Sequence, residues 1–270
     1  MNSIIGSNTR KTLNNAKKIV IKIGTSSLTY ATGKINFQRI DILSRVISDL
    51  TNQGKEVVLV TSGAIGVGVD KLKLGSKPNT VSGRQAAAAV GQCTLMQIYS
   101  KTFAEYGHDV GQMLLTRDVI DKEVMKNNAI NTFEELFKMG VIPVVNENDS
   151  VSVEEIQFGD NDNLSSLVSR LIKAELLVIL TDIDGYYDKN PREFDDANLI
   201  HTITDLSEKV EAAAGSVGSA FGTGGMLTKV HACRLAAENG IDAIIANGND
   251  PKVIYRILNG DEVGTLFVSK

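Results

Sequence analysis

The sequence predicts an α/β protein, a three-layer αβα sandwich with an open, mainly parallel central sheet. Strand-like apolar runs alternate with helix-like segments through nearly all of the 270 residues, as in a parallel sheet covered by helices on both faces. Several of these runs are continuously apolar, which is typical of strands buried on both faces. Short groups of Gly, Ser, Thr, Asn or Asp follow several strands. Ligands of such folds bind at the carboxyl ends of the strands.

The first strand is predicted at 18–23, where KIVIKI is followed directly by Gly24. A helix then opens at Asn36 and ends at Gly54, with apolar residues on one face. Further strands are predicted at 57–60, 110–115, 141–145, 155–158, 176–180, 241–246 and 265–268. Further helices are predicted at 84–106, 128–139, 164–173, 206–214, 226–239 and 251–258.

The domain organisation follows from what separates these elements. No linker rich in Pro, Gly or Ser divides the chain, and it has four prolines. We therefore predict a single domain over residues 1–270, with 1–17 as a loose N-terminal extension. Pro143 indicates that its strand is irregular or lies at an edge of the sheet, because proline cannot donate to a strand ladder.

Composition excludes several classes of function. The net charge of −4 argues against a nucleic-acid or membrane-surface partner. The basic residues Arg10, Lys11, Lys17 and Lys18 are interpreted as a solvated helix face or a loose end. With two cysteines and three scattered histidines, a zinc site is not predicted. No signal core or membrane-length run is visible, so a cytoplasmic protein is expected.

The stretch Asn146 to Asn163 is the strongest candidate for a site. It contains two acid-amide clusters, NEND at 146–149 and DNDN at 160–163, each after a strand-like run. Asn and Asp are common in turns, but two such clusters joined by a hairpin-length link and followed by a helix favour a site. A metal cage, an amine-binding pocket and a phosphate-positioning helix N-terminus all remain open.

Three other segments indicate phosphate binding. Lys22 lies near the end of a buried strand, where a lysine is costly unless it faces an anionic ligand or a paired carboxylate. The run 61–68, TSGAIGVG, has glycines in the reverse order to the dinucleotide fingerprint and favours close approach to an anion. The run 222–229, GTGGMLTK, precedes a helix, and Lys229 is explained if it points at a phosphate. Together they suggest phosphoryl transfer by positioning and electrostatics.

An ordered set of motifs then resembles one family. These motifs are VIKIGTSSLT, VVLVTSGAIGVG, GQMLLTRD, PVVNEND, FGDNDNLSSLVS, LTDIDGYY, GTGGMLTK and GTLF. Between Lys18 and Phe267 they resemble the amino acid kinase family, in particular its glutamate kinases. The resemblance implies ATP-dependent phosphorylation of the γ-carboxylate of L-glutamate to L-glutamyl 5-phosphate, the first step of proline biosynthesis. It also implies Mg²⁺ bound with ATP.

The same resemblance implies roles for individual residues. Lys22 and Lys229 would stabilise the transferring phosphoryl group, and Asp162 would orient both lysines. Four residues would bind the substrate, namely Ser62, Gly63, Asp149 and Asn161. The ATP-binding residues would be Lys22, Gly24, Thr181, Asp182, Thr223, Gly224, Gly225, Met226, Leu227, Thr228 and Lys229.

The resemblance implies three further properties. Proline is expected as a feedback inhibitor at a site that overlaps the glutamate site, and a homo-oligomer, dimer or tetramer, is expected. Many family members carry a C-terminal PUA domain. This sequence ends at Lys270, just after the last predicted strand, so we expect that domain to be absent and catalysis to persist.

The alternatives come from the same family and from other classes. The paired NEND and GDNDN motifs favour glutamate over acetylglutamate, aspartate, carbamate or UMP as the phosphate acceptor. A non-catalytic nucleotide-binding regulator would be expected to lack Lys22 or Lys229, and both are present. A Rossmann dehydrogenase is disfavoured by the reversed glycine order.

Overall fold

The structure, a computed structural model, describes residues 2–116, 118–151, 161–207 and 225–270. The chain folds into two compact units. We call residues 23–161 the central unit, and residues 1–22 together with 162–270 the terminal unit. The strand predicted at 155–158 and most of the helix predicted at 206–214 lie outside the described residues. The single domain stays a prediction.

The described elements alternate along the chain. The helices are α1 (Asn2–Thr12), α2 (Thr25–Leu28), α3 (Phe37–Asn52), α4 (Ala64–Lys71), α5 (Val81–Ala104), α6 (Asp118–Asp121), α7 (Glu123–Lys138), α8 (Asn161–Leu171), α9 (Met226–Ala237) and α10 (Val253–Leu258). The strands are β1 (Lys18–Ile23), β2 (Glu56–Val60), β3 (Val110–Leu115), β4 (Ile142–Glu147), β5 (Leu176–Thr181), β6 (Thr202–Ile203), β7 (Asp242–Asn247) and β8 (Thr265–Phe267).

The central unit contains the parallel strands β3, β4 and β2, in that order. Strand β4 is therefore flanked on both sides, and the predicted edge position of Pro143 is wrong. Ile142 donates its N–H to the Asp109 carbonyl next to β3, so the following residue faces the β2 side. Pairing with β2 begins only at Val144. The missing N–H of Pro143 thus costs no ladder bond.

Helices α4 and α5 of the central unit cross at very close range. A Cβ on Gly91 would lie 1.7 Å from the Ala64 carbonyl oxygen, and one on Gly68 would lie 1.8 Å from that of Ala87. The glycines of this segment thus serve helix packing as well as the turn after β2, where Gly63 has a φ of 95°. Helix α4 itself was not predicted, because the glycine-rich run was interpreted as a strand end.

The terminal unit contains the strands β1, β5, β7, β8 and β6, in that order. Strands β5 and β7 are parallel, β8 runs antiparallel to β7, and β6 is parallel to β8. All six residues of β5 are buried, as the strongly apolar sequence LLVILT predicts. The carboxyl end of β5 brings Thr181 and Asp182 to one edge of this unit.

Arg10 corrects the interpretation of the N-terminal basic cluster. It is only 2% exposed, and its guanidinium donates to the carbonyl oxygens of His201 at 2.7 Å and Val263 at 2.8 Å. Lys11 and Lys17 are exposed, as expected. Because Arg10 belongs to α1, these hydrogen bonds attach that helix to the segments before β6 and β8.

The helices were also compared with the requirements of a membrane span. None in the described part of the chain has both the length and the apolarity needed to cross a bilayer.

We expect the change Gly91→Ala to lower the free energy of unfolding by about 1–3 kcal/mol or more, because the new methyl group overlaps backbone atoms of α4. Gly66→Ala is the matched control, since apart from the neighbouring backbone of its own helix no atom lies within 4 Å of the added Cβ. That control should be neutral or more stable by up to about 1 kcal/mol, because alanine favours helix. Urea unfolding of both variants checks this. Equal stability of Gly91→Ala and wild type would contradict the close crossing.

Candidate active site

A buried carboxylate of the terminal unit is held between two ammonium groups. Lys22 Nζ lies 2.6 Å from Asp162 Oδ1, and Lys229 Nζ lies 3.0 Å from Asp162 Oδ2. All three side chains are at least nine-tenths buried. The structure therefore brings together the three residues predicted as catalytic. Two ammonium groups against one carboxylate leave one net positive charge, which suits an anionic ligand.

The pKa of Asp162 reports the balance of forces in this cluster. Burial alone would raise the pKa of this carboxyl group, but the charges of Lys22 and Lys229 and their hydrogen bonds outweigh burial and lower the pKa to about 2. Asp162 is therefore ionised at any physiological pH. The same environment, mainly burial and then the Asp162 charge, raises the pKa of the Cys233 thiol well above its ordinary value, so that side chain stays neutral.

Local structure explains how each group reaches its place. Lys22 is the next-to-last residue of the buried strand β1. Asp162 lies in the first turn of α8, where the helix dipole favours a carboxylate. Lys229 is the fourth residue of α9, where the dipole disfavours a cation, and the contact with Asp162 offsets that cost. Thr228 adds a hydroxyl 2.9 Å from Asp162 Oδ2.

The predicted ATP-binding residues of the terminal unit lie at two places. Thr181 ends β5, and Asp182 directly after it pairs with Arg192 at 3.1 Å on the surface. Gly225 is the N-cap of α9, so its neighbours Met226 and Leu227 form the start of that helix. Thr223, Gly224 and the loop 215–222 lie outside the described residues. Gly24, in the central unit, is the N-cap of α2.

The central unit has its own buried polar cluster around Asn161. Its side-chain Nδ2 lies 2.5 Å from the Thr61 carbonyl oxygen, 2.9 Å from Ser62 Oγ and 2.7 Å from Asn146 Oδ1. Asn146 in turn donates to Gln92 Oε1 at 2.8 Å. Two of the predicted substrate residues, Ser62 and Asn161, are thus in direct contact. Gly63, directly after Ser62, is the N-cap of α4.

Asp149, a further predicted substrate residue, lines a cleft of the central unit. It is 7% exposed, and it follows the carboxyl end of β4. The cleft has a volume of about 770 Å³ and is also lined by Gln92 of α5. A carboxylate in this position can accept hydrogen bonds from an ammonium group. The predicted hairpin 150–159 falls almost entirely outside the described residues.

Two members of the Asn161 cluster were given no role on the basis of sequence. Asn146 belongs to the NEND motif, so its position was suggested but its partners were not. Gln92 is a single buried polar residue in an alanine-rich helix. The one sequence signal for it is that a glutamine stands where the helix buries its neighbours.

Comparison with a solved structure establishes the fold. The carbamate kinase from Giardia lamblia bound to AMP-PNP matches with a TM-score of 0.66 at 17% sequence identity, over 95% of this chain and 100% of that chain. This match confirms the predicted fold class.

Comparison of sequences establishes the family. The model of the amino acid kinase family matches residues 17–247, and the chain belongs to that family. The glutamate 5-kinase of Clostridium perfringens is 56% identical over 97% of this chain and 98% of its own length. The glutamate 5-kinase of Listeria monocytogenes is 51% identical over 97% of this chain and 96% of its own. These relatives confirm the resemblance to the glutamate kinases.

The change Asp162→Asn should lower the free energy of unfolding at pH 7 by about 3–5 kcal/mol, because it leaves two buried ammonium groups without their counter-charge. Asp162 has a folded pKa of about 2, below its ordinary 3.8. Its contribution is therefore complete above about pH 4 and is lost as the pH falls toward 2. The gap between wild type and Asp162→Asn should narrow by about 2 kcal/mol over that interval.

Urea unfolding at pH values between 2 and 7 measures this gap. Asp195→Asn, which removes a carboxylate exposed on the surface of the same unit, is the control for the change in net charge. A gap between wild type and Asp162→Asn that stays constant down to pH 2 would show that Asp162 does not carry the depressed pKa.

Proposed function

We propose that this chain transfers the γ-phosphoryl group of ATP to the γ-carboxylate of L-glutamate, forming L-glutamyl 5-phosphate for proline biosynthesis. The observation that carries the proposal is the pair of buried lysines on Asp162. Charge spread over the oxygens of a transferring phosphoryl group is stabilised by such fixed cations, and little covalent chemistry is required of the protein.

In this proposal each member of the buried cluster has one task. Lys22 and Lys229 stabilise negative charge on the phosphoryl group as it moves between the two substrates. Asp162 keeps both ammonium groups in place before the reaction, so no reorganisation is needed when the charge develops. Thr181, Asp182 and the beginning of α9 bind the nucleotide.

The acceptor substrate needs recognition rather than activation. A γ-carboxylate is already ionised and nucleophilic at neutral pH, so no general base has to be supplied. The α-ammonium group of glutamate needs hydrogen-bond acceptors. The Asp149 carboxylate and the side-chain oxygen Oδ1 of Asn161 are proposed to provide them. Ser62 and Gly63 complete this side, next to the reacting carboxylate.

Mg²⁺ is proposed to enter as part of the ATP complex. Both oxygens of Asp162 face ammonium groups, so that carboxylate is placed to hold lysines rather than a metal ion. Mg²⁺ bound to phosphate oxygens and water neutralises phosphate charge. We further propose that proline inhibits the enzyme, that the chain assembles into a homodimer or homotetramer, and that it is located in the cytoplasm.

An assay of ADP release tests the function directly. Mg-ATP is combined in turn with L-glutamate, acetylglutamate, aspartate, carbamate and UMP, and hydroxylamine traps any acyl phosphate as a hydroxamate. We expect turnover and hydroxamate with glutamate. Turnover with another acceptor and none with glutamate would overturn the proposal in favour of a different activity of this family.

Removing one of the two ammonium groups should slow phosphoryl transfer. We expect Lys229→Ala to lower kcat by about 10²-fold or more, as for the loss of one preorganised charge-stabilising group. Lys252→Ala, at an exposed position of the same unit, is the control. If Lys229→Ala stays within a few-fold of wild type while it folds normally, the proposed role of Lys229 is wrong.

The role of Asp149 predicts a different kinetic change. Asp149→Asn should raise the KM for glutamate by at least about 10-fold, since a charged hydrogen bond to the substrate ammonium is lost, and should leave the KM for ATP unchanged. Asp109→Asn at an exposed site provides the control. An increase confined to the ATP KM would place Asp149 on the other substrate.

A further inference from the structure

Gln92 is a buried residue that the reaction described so far does not use. It lies on α5, is 7% exposed, and lines the cleft of the central unit that also contains Asp149. Glutamine is not required for packing at such a position, where an apolar residue of similar size would avoid burying an amide. Its hydrogen bonds therefore indicate what it does.

Two backbone groups fix the direction of a chain of side-chain amides. The Thr61 carbonyl oxygen can only accept, so the group of Asn161 that lies 2.5 Å from it must be the NH₂ group. The Glu147 N–H can only donate, and it donates to Asn146 Oδ1 at 2.9 Å. The NH₂ group of Asn146 is thus directed at Gln92, whose oxygen accepts from it.

This direction leaves Gln92 with its NH₂ group as the free end of the chain. Among the described residues, Gln92 Nε2 is buried and has no hydrogen-bond partner. At the other end, Asn161 Oδ1 is likewise buried and has no partner within the described part of the chain. A buried donor left unpaired is costly. Such a group is retained where a ligand completes its hydrogen bonds.

We propose that Gln92 is a specificity-determining residue that donates hydrogen bonds from Nε2 to the α-carboxylate of the amino-acid substrate. The inference rests on the proposed function, because that function supplies an amino acid as the acceptor. Asn146 acts as a positioning residue. It donates a hydrogen bond to Gln92 Oε1, and this contact directs the NH₂ group of Gln92 away from Asn146.

The chemistry of the cleft fits the two groups on the α-carbon of an amino acid. Asp149 offers a buried negative charge, which suits the α-ammonium group. Gln92 offers a buried donor, which suits a group that can only accept, and an ionised carboxylate is such a group. The γ-carboxylate is the reacting group, so the α-carboxylate is the one left for a residue that only binds.

The test uses a substitution that keeps the hydrogen bond between Asn146 and residue 92 but replaces the NH₂ donor of Gln92 by an acceptor. In Gln92→Glu, one carboxylate oxygen still accepts from Asn146, whereas the other replaces the NH₂ group and repels the α-carboxylate. L-isoglutamine carries a carboxamide in place of the α-carboxylate, so it can donate a hydrogen bond to the side-chain carboxylate that Gln92→Glu introduces. Gln97→Glu is the matched control, because Gln97 is an exposed residue that lines the same cleft from the same helix.

Wild-type enzyme should prefer glutamate to isoglutamine in the hydroxamate assay. Gln92→Glu should lower kcat/KM for glutamate by about 10²-fold and narrow the glutamate-to-isoglutamine ratio by at least about 10-fold, with the KM for ATP unchanged. Gln97→Glu should keep the wild-type ratio. If Gln92→Glu unfolds at the assay temperature, Gln92→Met, which lacks the donor, replaces it, and the same ratio decides.

An unchanged ratio in a folded Gln92 variant would overturn the inference, even though wild-type enzyme phosphorylates glutamate. Equal losses with glutamate and isoglutamine would overturn it too, since a purely structural role does not distinguish the two substrates. Failure of the wild type to form any hydroxamate with glutamate would instead contradict the proposed function. The two failures are therefore separate results.

Discussion

The terminal unit depends on one buried electrostatic contact, that of Asp162 with Lys22 and Lys229. Three charged side chains are removed from water there, and each alone would be strongly destabilising. They come from β1, α8 and α9, so the contact forms only when those three elements are in place. Lys229 also opposes the dipole of its own helix. The arrangement is costly for stability alone, which is why a charge-stabilising function explains it better than packing does.

The central unit reaches a defined polar site by different means. Its amides carry no charge, and backbone groups of Thr61 and Glu147 determine which way each amide points. Close packing sets where the chain of amides ends. Gly91 allows α5 to lie against α4, and Gln92 is the next residue of α5. A larger residue at position 91 would move Gln92 along with the helix axis.

The sequence predicted those parts of the fold that local pattern determines. Strands β1 and β3 have the predicted bounds, because continuous or strand-like apolar runs identify them. Helix α4 was missed because Gly66 and Gly68 lower its helix propensity, and a contact with α5 decides the outcome. The edge position predicted from Pro143 was wrong. The sequence of β4 alone does not show at which residue its pairing with β2 begins.

In the candidate site, too, local sequence pattern predicted some residues, whereas contacts between distant segments determine others. Lys22, Asp162 and Lys229 stand out in the sequence as charged residues beside apolar or glycine-rich segments, and the structure joins them. Gln92 and Asn146 are 54 positions apart, and no local pattern links them. Arg10 was misinterpreted for a related reason. Its partners are backbone carbonyl groups, which every residue carries and which therefore leave no signal in a sequence.

The protonation state of the site gives a last argument for its chemistry. Because the pKa of Asp162 is lowered to about 2, this carboxylate cannot serve as a proton donor or acceptor at neutral pH. A hydroxyl or amine acceptor would need a group that removes its proton, whereas a carboxylate acceptor is already ionised. A fixed cluster of charges whose carboxylate stays ionised is therefore suited to phosphorylating a carboxylate. In the proposed function this cluster acts by electrostatic stabilisation, and Asp162 neither gives nor takes a proton.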